Sequence, residues 1–168
     1  MKLAVGSDEK TYLTDAVVAE LEKRGHELEL FGPLRGDALN WTQVAQGVGE
    51  RVAQHNADEG ILFCWTGTGV SLAANKVPGI RAALCHDAET AKGARLWNRA
   101  NVLCLSLRTT SETVSREILD AWFSTPMGTD PSDVLAVEQV SALERKYART
   151  ERTPLRSALR SPSDNAAK

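Results

Sequence analysis

The sequence predicts an α/β protein in which a five-stranded parallel sheet lies between two layers of helices. Two observations predict it: short apolar runs alternate with segments of helical periodicity, and each run is followed by a segment long enough to cross over to a parallel neighbour. The expected strands are 2–6, 27–31, 59–64, 80–85 and 101–105, and the expected helices between and after them are 12–24, 42–55, 69–76, 88–97 and 111–123. This alternation is typical of a Rossmann-like three-layer αβα sandwich.

The segment 12–24 shows how a helix is recognised. Leu13, Val17 and Leu21 recur at helical spacing, while the residues between them are largely polar. Gly25 stands where the pattern stops, as is typical of a helix end. The segment therefore predicts an amphipathic helix with one face on the sheet.

The end of the chain differs in composition from the rest. Residues 131–149 read as one more helix, which we expect to lie at a dimer interface and to complete a domain spanning 1–149. Residues 150–168 are polar and contain prolines and several serines, which predicts a disordered tail.

Composition and charge exclude several functions. The chain has 168 residues and a formal net charge of −2, which gives no reason to expect nucleic acid or a membrane surface as partner. No apolar run approaches the roughly 20 residues of a membrane span, and we expect a cytoplasmic protein. The three cysteines, at 64, 85 and 104, are too far apart for a zinc site and odd in number for a disulfide framework. We expect no metal and no cofactor.

The most informative motif runs from Cys64 through Trp65, Thr66, Gly67, Thr68 and Gly69, directly after an apolar strand. Glycine turns of this kind allow backbone N–H groups to converge on an anion. Ligands of such sheets bind at the carboxyl ends of the strands. The side chains predicted at those ends are Asp8, Cys64, His86 and Arg108.

A longer string, Ala73-Ala74-Asn75-Lys76-Val77-Pro78-Gly79-Ile80-Arg81-Ala82-Ala83, together with Gly6-Ser7-Asp8, resembles the ribose-5-phosphate isomerase B and galactose-6-phosphate isomerase family. The resemblance covers about residues 1–123. It implies isomerisation of aldose phosphates to ketose phosphates through an enediolate, by dimers or tetramers whose sites draw on two subunits. The substrate would be a small carbohydrate-like molecule.

The resemblance assigns roles to individual residues. Cys64 matches the catalytic cysteine, Thr66 its partner hydroxyl, and the amides of Gly67, Thr68 and Gly69 would stabilise the enediolate. Matches at substrate-contacting positions are Asp8, Asn98 and Arg108. Two simpler interpretations stay open: Cys64 as a small buried hydrophobic residue, as expected for Cys85 and Cys104, and Asp8 as a cap or turn residue.

The chain departs from the family pattern where a sugar phosphate would bind. Glu9 replaces a histidine that touches phosphate, and Trp97 replaces a histidine thought to open the sugar ring. Trp41 and Trp65 replace a tyrosine and a glycine, and an acidic segment at 128–133 stands in place of a basic string. At an effective dielectric of about 20, two like charges about 4 Å apart cost on the order of 4 kcal/mol. We therefore expect a substrate without phosphate, with Glu9 among the residues that bind its hydroxyl groups.

The three tryptophans leave two alternatives, because indole rings could form aromatic walls around a substrate or close the site altogether. Trp122 is expected in the core. The favoured function is proton transfer beside a carbonyl group on an open-chain hydroxy-carbonyl compound, in a homodimer or tetramer. The alternatives are a degenerate ligand-binding subunit paired with a related chain, and an epimerase or lyase that uses the same anion hole.

Overall fold

A computed structural model describes residues 1–148, so the predicted tail at 150–168 lies outside the described part of the chain. Its strands are β1 (Lys2–Ser7), β2 (Glu27–Phe31), β3 (Glu59–Cys64), β4 (Ala82–Leu84) and β5 (Val102–Ser106). Its helices are α1 (Tyr12–Lys23), α2 (Trp41–Ala53), α3 (Thr68–Ala74), α4 (Ala88–Leu96), α5 (Glu112–Ser124) and α6 (Pro131–Ala148). None of these helices is long and apolar enough to cross a membrane.

The sheet has the order β2-β1-β3-β5-β4, and all of its strand pairs are parallel. The predicted five-stranded parallel sheet is confirmed. Gly6 pairs with Leu62, and Cys64 pairs with Ser106. The carboxyl ends of the three central strands therefore meet at one edge, which we call the carboxyl edge, and the opposite side of the sheet is the amino edge.

Helices cover both faces of the sheet, which confirms the three layers. One face packs against α1, α4 and α5 through residues such as Leu13, Ala91 and Ile118. The other face packs against α2 and α3 through Val48 and Val70, among others. Burial of each large aliphatic side chain contributes about 1.5–3 kcal/mol, so the two cores supply most of the stability.

Side-chain caps fix where the helices begin. Thr11 and Asn40 each form a capping box at the start of α1 and α2, and Asp87 and Ser111 accept backbone N–H groups at the start of α4 and α5. Such caps are each worth about 1 kcal/mol. Because α2 and α4 begin at the carboxyl edge, the caps also fix the loops around the candidate site.

The largest relative difference from the predicted bounds is in β4, which covers only part of 80–85, and α3 ends at Ala74 rather than at residue 76. The side chain of Asn75 joins the two elements, because its amide donates to the carbonyls of Ser71 and Ala82 and its oxygen accepts the Ala82 N–H. A short 3₁₀ turn at Gly32–Leu34 was not predicted.

A buried ion pair lies near the amino edge. Arg95 Nη2 is 2.8 Å from Glu59 Oε1, and the Trp122 indole N–H donates to Glu59 Oε2 at 2.6 Å. The Arg95 guanidinium also lies 4.9 Å from the centre of the Trp122 ring and donates to the Ala100 carbonyl. Trp122 is fully buried, so its prediction as a core residue is confirmed.

Helix α6 packs loosely on the rest of the chain and has no buried residue. Its apolar side chains Leu135, Val140, Leu143 and Tyr147 are about half exposed. A cavity of about 760 Å³ separates it from β4 and α4. Within residues 1–148, this helix is therefore the element with the most uncovered apolar surface.

Candidate active site

Four residues predicted at strand ends lie at the carboxyl edge. Asp8 comes directly after β1, Cys64 ends β3, His86 lies two residues past β4, and Arg108 lies two residues past β5. Parallel strands end at the same edge of a sheet, so these residues share one side of the molecule. This placement agrees with the sequence prediction.

The loop after Cys64 is fixed by main-chain hydrogen bonds. Gly67 adopts φ of 75°, which a side chain rarely tolerates, and its N–H donates to the Cys64 carbonyl at 3.1 Å. The Gly67 amide, predicted to face an anion, is therefore already used within the loop. The N–H groups of Thr68 and Gly69 have no partner in the described chain and remain available to an anion.

The hydroxyl groups of Thr66 and Thr68 share a hydrogen bond of 2.6 Å. Either oxygen can be the donor. Both residues are exposed, so the pair borders solvent next to the loop. Because a hydroxyl both donates and accepts, this pair can pass a proton or hold a substrate oxygen.

Cys64 differs from the other two cysteines in its surroundings. All three thiols are free and buried, and Cys64 is 4% exposed at the point where its strand ends. Burial raises the pKa of Cys85 to about 12 and raises the pKa of Cys104 still further. The predicted inert role of Cys85 and Cys104 agrees with this burial, because neither forms a thiolate near neutral pH.

Trp41 lies against the Cys64 loop. A Cβ placed on Gly69 would lie 3.2 Å from Trp41 Cδ2, so the indole ring covers the first turn of α3. The ring is still 40% exposed, and Trp65 in the same region is 55% exposed. These two rings leave solvent-facing surfaces at the carboxyl edge, where aromatic walls were predicted.

The segment after β1 carries two neighbouring carboxylates. The Ser7 hydroxyl donates to the Glu9 carbonyl and accepts the Glu9 N–H, which fixes the turn. Asp8 Oδ1 is buried without a hydrogen-bond partner. Burial raises the pKa of Asp8, a backbone N–H opposes the rise, and the charge of Glu9 adds to it. A buried carboxylate oxygen without a partner is suited to accept a ligand hydroxyl.

Arg108 brings a cation to the same edge. Its backbone N–H donates to the Trp65 carbonyl at 2.9 Å, which ties it to the Cys64 loop. Its side chain is exposed and has no salt-bridge partner among the described residues. The guanidinium is therefore free to bind an anionic or polar ligand.

Trp97 and Asn98 lie at the amino edge of the same chain. Helix α4 starts after β4 and runs back along the sheet, and the Asn101 N–H donates to the Arg81 carbonyl just before β4. The five residues of β5 separate the two edges by about 16 Å. One chain therefore does not bring these two residues to Cys64, and Trp97 does not line a pocket with Trp41 and Trp65.

Trp97 packs on its own helix. A Cβ on Gly93 would lie 2.6 Å from Trp97 Cζ3, so the ring covers that glycine, while 61% of the side chain is exposed. Trp97 and Asn98 also line the cavity beneath α6. Both residues are thus presented on the surface that α6 leaves uncovered.

Sequence reasoning did not find Ser106. This residue is 2% exposed and its hydroxyl donates to the Trp65 carbonyl at 3.0 Å. The signal was present, since a serine that ends an apolar strand beside another strand end faces the site edge. Among the described residues, no group of three or more His, Cys, Asp or Glu side chains could hold a metal ion.

A family model described as Ribose/Galactose Isomerase matches residues 3–139. The chain belongs to this family. Ribose-5-phosphate isomerase B of Escherichia coli is 37% identical over 122 residues, which are 72% of this chain and 82% of the relative. Galactose-6-phosphate isomerase subunit LacB of Clostridium acetobutylicum is 32% identical, over 73% of this chain and 71% of its own length.

The structure of ribose-5-phosphate isomerase B from Clostridium thermocellum matches this ribose/galactose isomerase with a TM-score of 0.82 and 35% identity. The match covers 88% of this chain and 99% of that structure. Fold and sequence thus agree, and the chain is an isomerase of the aldose–ketose type. The family predicted from the residues around Cys64 is confirmed.

Proposed function

We propose that this isomerase moves a proton between the two carbons of an enediolate, with Cys64 as the base. The observation that carries the proposal is the loop after Cys64, where the amides of Thr68 and Gly69 have no partner in the described chain. An enediolate carries negative charge on oxygen, and backbone N–H groups held in place stabilise such a charge. Thr66, bonded to Thr68, would pass the proton between the substrate oxygens.

We propose that the substrate is an open-chain polyhydroxy carbonyl compound without phosphate. Glu9 is exposed next to Asp8, so the segment after β1 presents two carboxylates. A phosphate carries up to two negative charges, and Arg108 is a single cation against them. Hydroxyl groups suit this edge better, since Asp8 Oδ1 lacks a donor and Arg108 can bind a neutral oxygen.

We propose that a second copy of the chain completes the site. Trp97 and Asn98 lie about 16 Å from Cys64 along the sheet, a distance that no side chain spans. Val140 and Leu143 of α6 are exposed and line the cavity that Trp97 borders, and Leu135 of the same helix is exposed as well. Burial of these side chains against a partner would both form a dimer and bring its Trp97 and Asn98 toward Cys64.

Proton exchange tests the chemistry whichever product the enzyme forms. The protein is incubated in heavy water with four- to six-carbon ketoses and, in parallel, with their terminal phosphates, and deuterium beside the carbonyl is measured by NMR. We expect exchange with unphosphorylated ketoses, reduced about 10²–10⁴-fold in Cys64→Ala and unchanged in the control Cys104→Ala. Exchange with the phosphates alone would contradict the proposed substrate, and equal rates in Cys64→Ala would contradict the base.

A second candidate function is that of one subunit in a mixed assembly with a related chain. The position of Trp97 and Asn98 away from Cys64 favours it as well, because the completing residues could come from a different polypeptide. The relative LacB is itself named a subunit. Size-exclusion chromatography with light scattering distinguishes the two: a stable homodimer that catalyses exchange supports the first proposal, and an inactive monomer supports the second.

A further inference from the structure

Ser106 stands directly beside the candidate base. It is the last residue of β5 and pairs with Cys64 in the parallel register. Paired residues of neighbouring parallel strands point to the same face of a sheet, about 5 Å apart. Ser106 is 2% exposed, so its hydroxyl forms hydrogen bonds with protein groups and not with bulk solvent.

The Ser106 hydroxyl has one defined orientation. Oγ accepts the Thr109 N–H at 3.2 Å and donates to the Trp65 carbonyl at 3.0 Å. Because the Thr109 N–H can only donate and the Trp65 carbonyl can only accept, the hydroxyl proton points to the Trp65 carbonyl. The side chain therefore links the loop after β5 to the loop after β3.

Two carbonyls of the Cys64 loop are each held by two donors. The Trp65 carbonyl accepts from Ser106 Oγ and from the Arg108 N–H, and the Cys64 carbonyl accepts from the N–H groups of Leu107 and Gly67. A trans peptide is planar, so a fixed carbonyl also fixes the direction of the next N–H. The orientation of the Trp65 and Thr66 amides therefore follows from this set of bonds.

Among the four donors, Ser106 is the only side chain. The other three are main-chain N–H groups, which substitution by residues other than proline leaves in place. We propose that Ser106 is a positioning residue, whose hydroxyl holds the Trp65 carbonyl and thereby sets the backbone next to Cys64. The inference rests on the proposed function only in that Cys64 is the base whose surroundings are set.

The test compares Ser106→Ala with a matched control, Ser115→Ala. Ser115 is 1% exposed and its hydroxyl donates to the Glu112 carbonyl within α5, so the control removes a buried serine hydroxyl away from the Cys64 loop, with one hydrogen bond against the two of Ser106. Two measurements report on the loop and do not need turnover. The first is amide hydrogen exchange of the peptides that cover 64–70 and 106–110. The second is the rate at which iodoacetamide alkylates Cys64, and both are followed by mass spectrometry.

We expect Ser106→Ala to accelerate amide exchange in these segments and to change the alkylation rate of Cys64 about three- to tenfold. Ser115→Ala should leave both unchanged, and Ser106→Thr, which keeps the hydroxyl, should return amide exchange to the native rate. On an active substrate, Ser106→Ala should lower kcat with little change in KM, because Ser106 is buried and acts through the Cys64 loop.

The proposal is overturned if Ser106→Ala and Ser115→Ala give the same amide exchange in the loop. It is also overturned if Ser106→Thr has the same unfolding temperature as the native protein but its loop amides exchange as fast as those of Ser106→Ala. Amide hydrogen exchange decides the question even if Cys64 reacts slowly with iodoacetamide. Absence of turnover on every ketose would instead contradict the proposed function. The positioning role of Ser106 would still be tested by amide exchange in the loop.

Discussion

The two edges of the central sheet are held in place by different interactions. At the carboxyl edge, main-chain N–H groups and one serine hydroxyl hold the Cys64 loop, and both the Trp65 carbonyl and the Cys64 carbonyl receive two bonds. At the amino edge, the buried pair Glu59–Arg95 holds the turn that carries Trp97 and Asn98.

The difference follows from what each edge must leave free. Around the candidate base, amides and hydroxyls hold the backbone without adding a fixed charge beside a developing enediolate. The turn at the amino edge has no such restriction, so an ion pair can fix it and present exposed side chains to a partner. Arg95 also contacts the linker to α6 through the Thr125 carbonyl, so one side chain organises both parts of the proposed interface.

The largest effect on stability is expected at the amino edge. Arg95→Met removes the partner of Glu59. Burial raises the pKa of Glu59, and the charge of Arg95 opposes this rise. We expect a loss of about 3–5 kcal/mol in the free energy of unfolding, measured with urea. The control Arg51→Met breaks a half-buried pair with Glu29, which keeps more contact with solvent, and should cost at most about 1 kcal/mol. Equal losses of unfolding free energy in the two variants would contradict a larger contribution of the buried pair to stability.

A smaller effect is expected at the Cys64 loop. Gly67→Ala adds a Cβ 2.4 Å from Leu84 Cδ1 and 3.1 Å from the Leu105 carbonyl, at a positive φ. We expect a loss of about 2–4 kcal/mol, the sum of backbone strain and overpacking. Gly79 has φ of 83° but nothing within 4 Å of a Cβ, so Gly79→Ala should cost only about 1–2 kcal/mol. If both variants unfold at the same denaturant concentration, the tight packing around Gly67 does not add to the cost of the substitution.

The smallest effect is a shift in pH dependence. Burial raises the pKa of Asp8, and Glu9 adds to the rise. A carboxylate that accepts a substrate hydroxyl must be ionised, so kcat/KM should fall as pH falls through the raised pKa of Asp8. Glu9→Gln removes the added charge and should move this acid limb to lower pH, whereas Asp8→Asn should abolish the limb and raise KM. A limb that stays in place in Asp8→Asn would assign it to another group.

Sequence patterns predicted the sheet, its five strands and the family, because alternation and the string at 73–83 are local features. They also placed Asp8, Cys64 and Arg108 at one edge, since a parallel sheet fixes where strands end. The bonds between the Asn75 side chain and Ala82, the first residue of β4, could not be predicted, because they depend on how the loop between α3 and β4 folds. The used Gly67 amide depends likewise on a turn geometry that residue types do not specify.

The expected aromatic pocket shows a second limit of sequence reasoning. Trp41, Trp65 and Trp97 matched site positions of the family, yet the crossover of α4 carries Trp97 to the opposite edge within one chain. Local residue patterns along one chain do not show which edges of two copies meet. Likewise, the contact of Trp41 with Gly69 comes from the packing of α2 on α3, and the spacing of residues in the sequence does not predict this packing.

Mixing of two inactive variants tests the division between the edges most directly. Cys64→Ala lacks the base, and Asn98→Ala lacks a residue of the opposite edge. Each alone should show little exchange of deuterium into the substrate. After the two are unfolded together and refolded, half of the dimers should be mixed, with one site that has both residues, so about a quarter of the native sites should be restored. If the mixture stays as inactive as its components while the native protein survives the same treatment, Asn98 does not reach Cys64 from a second chain, and the account of a shared site is contradicted.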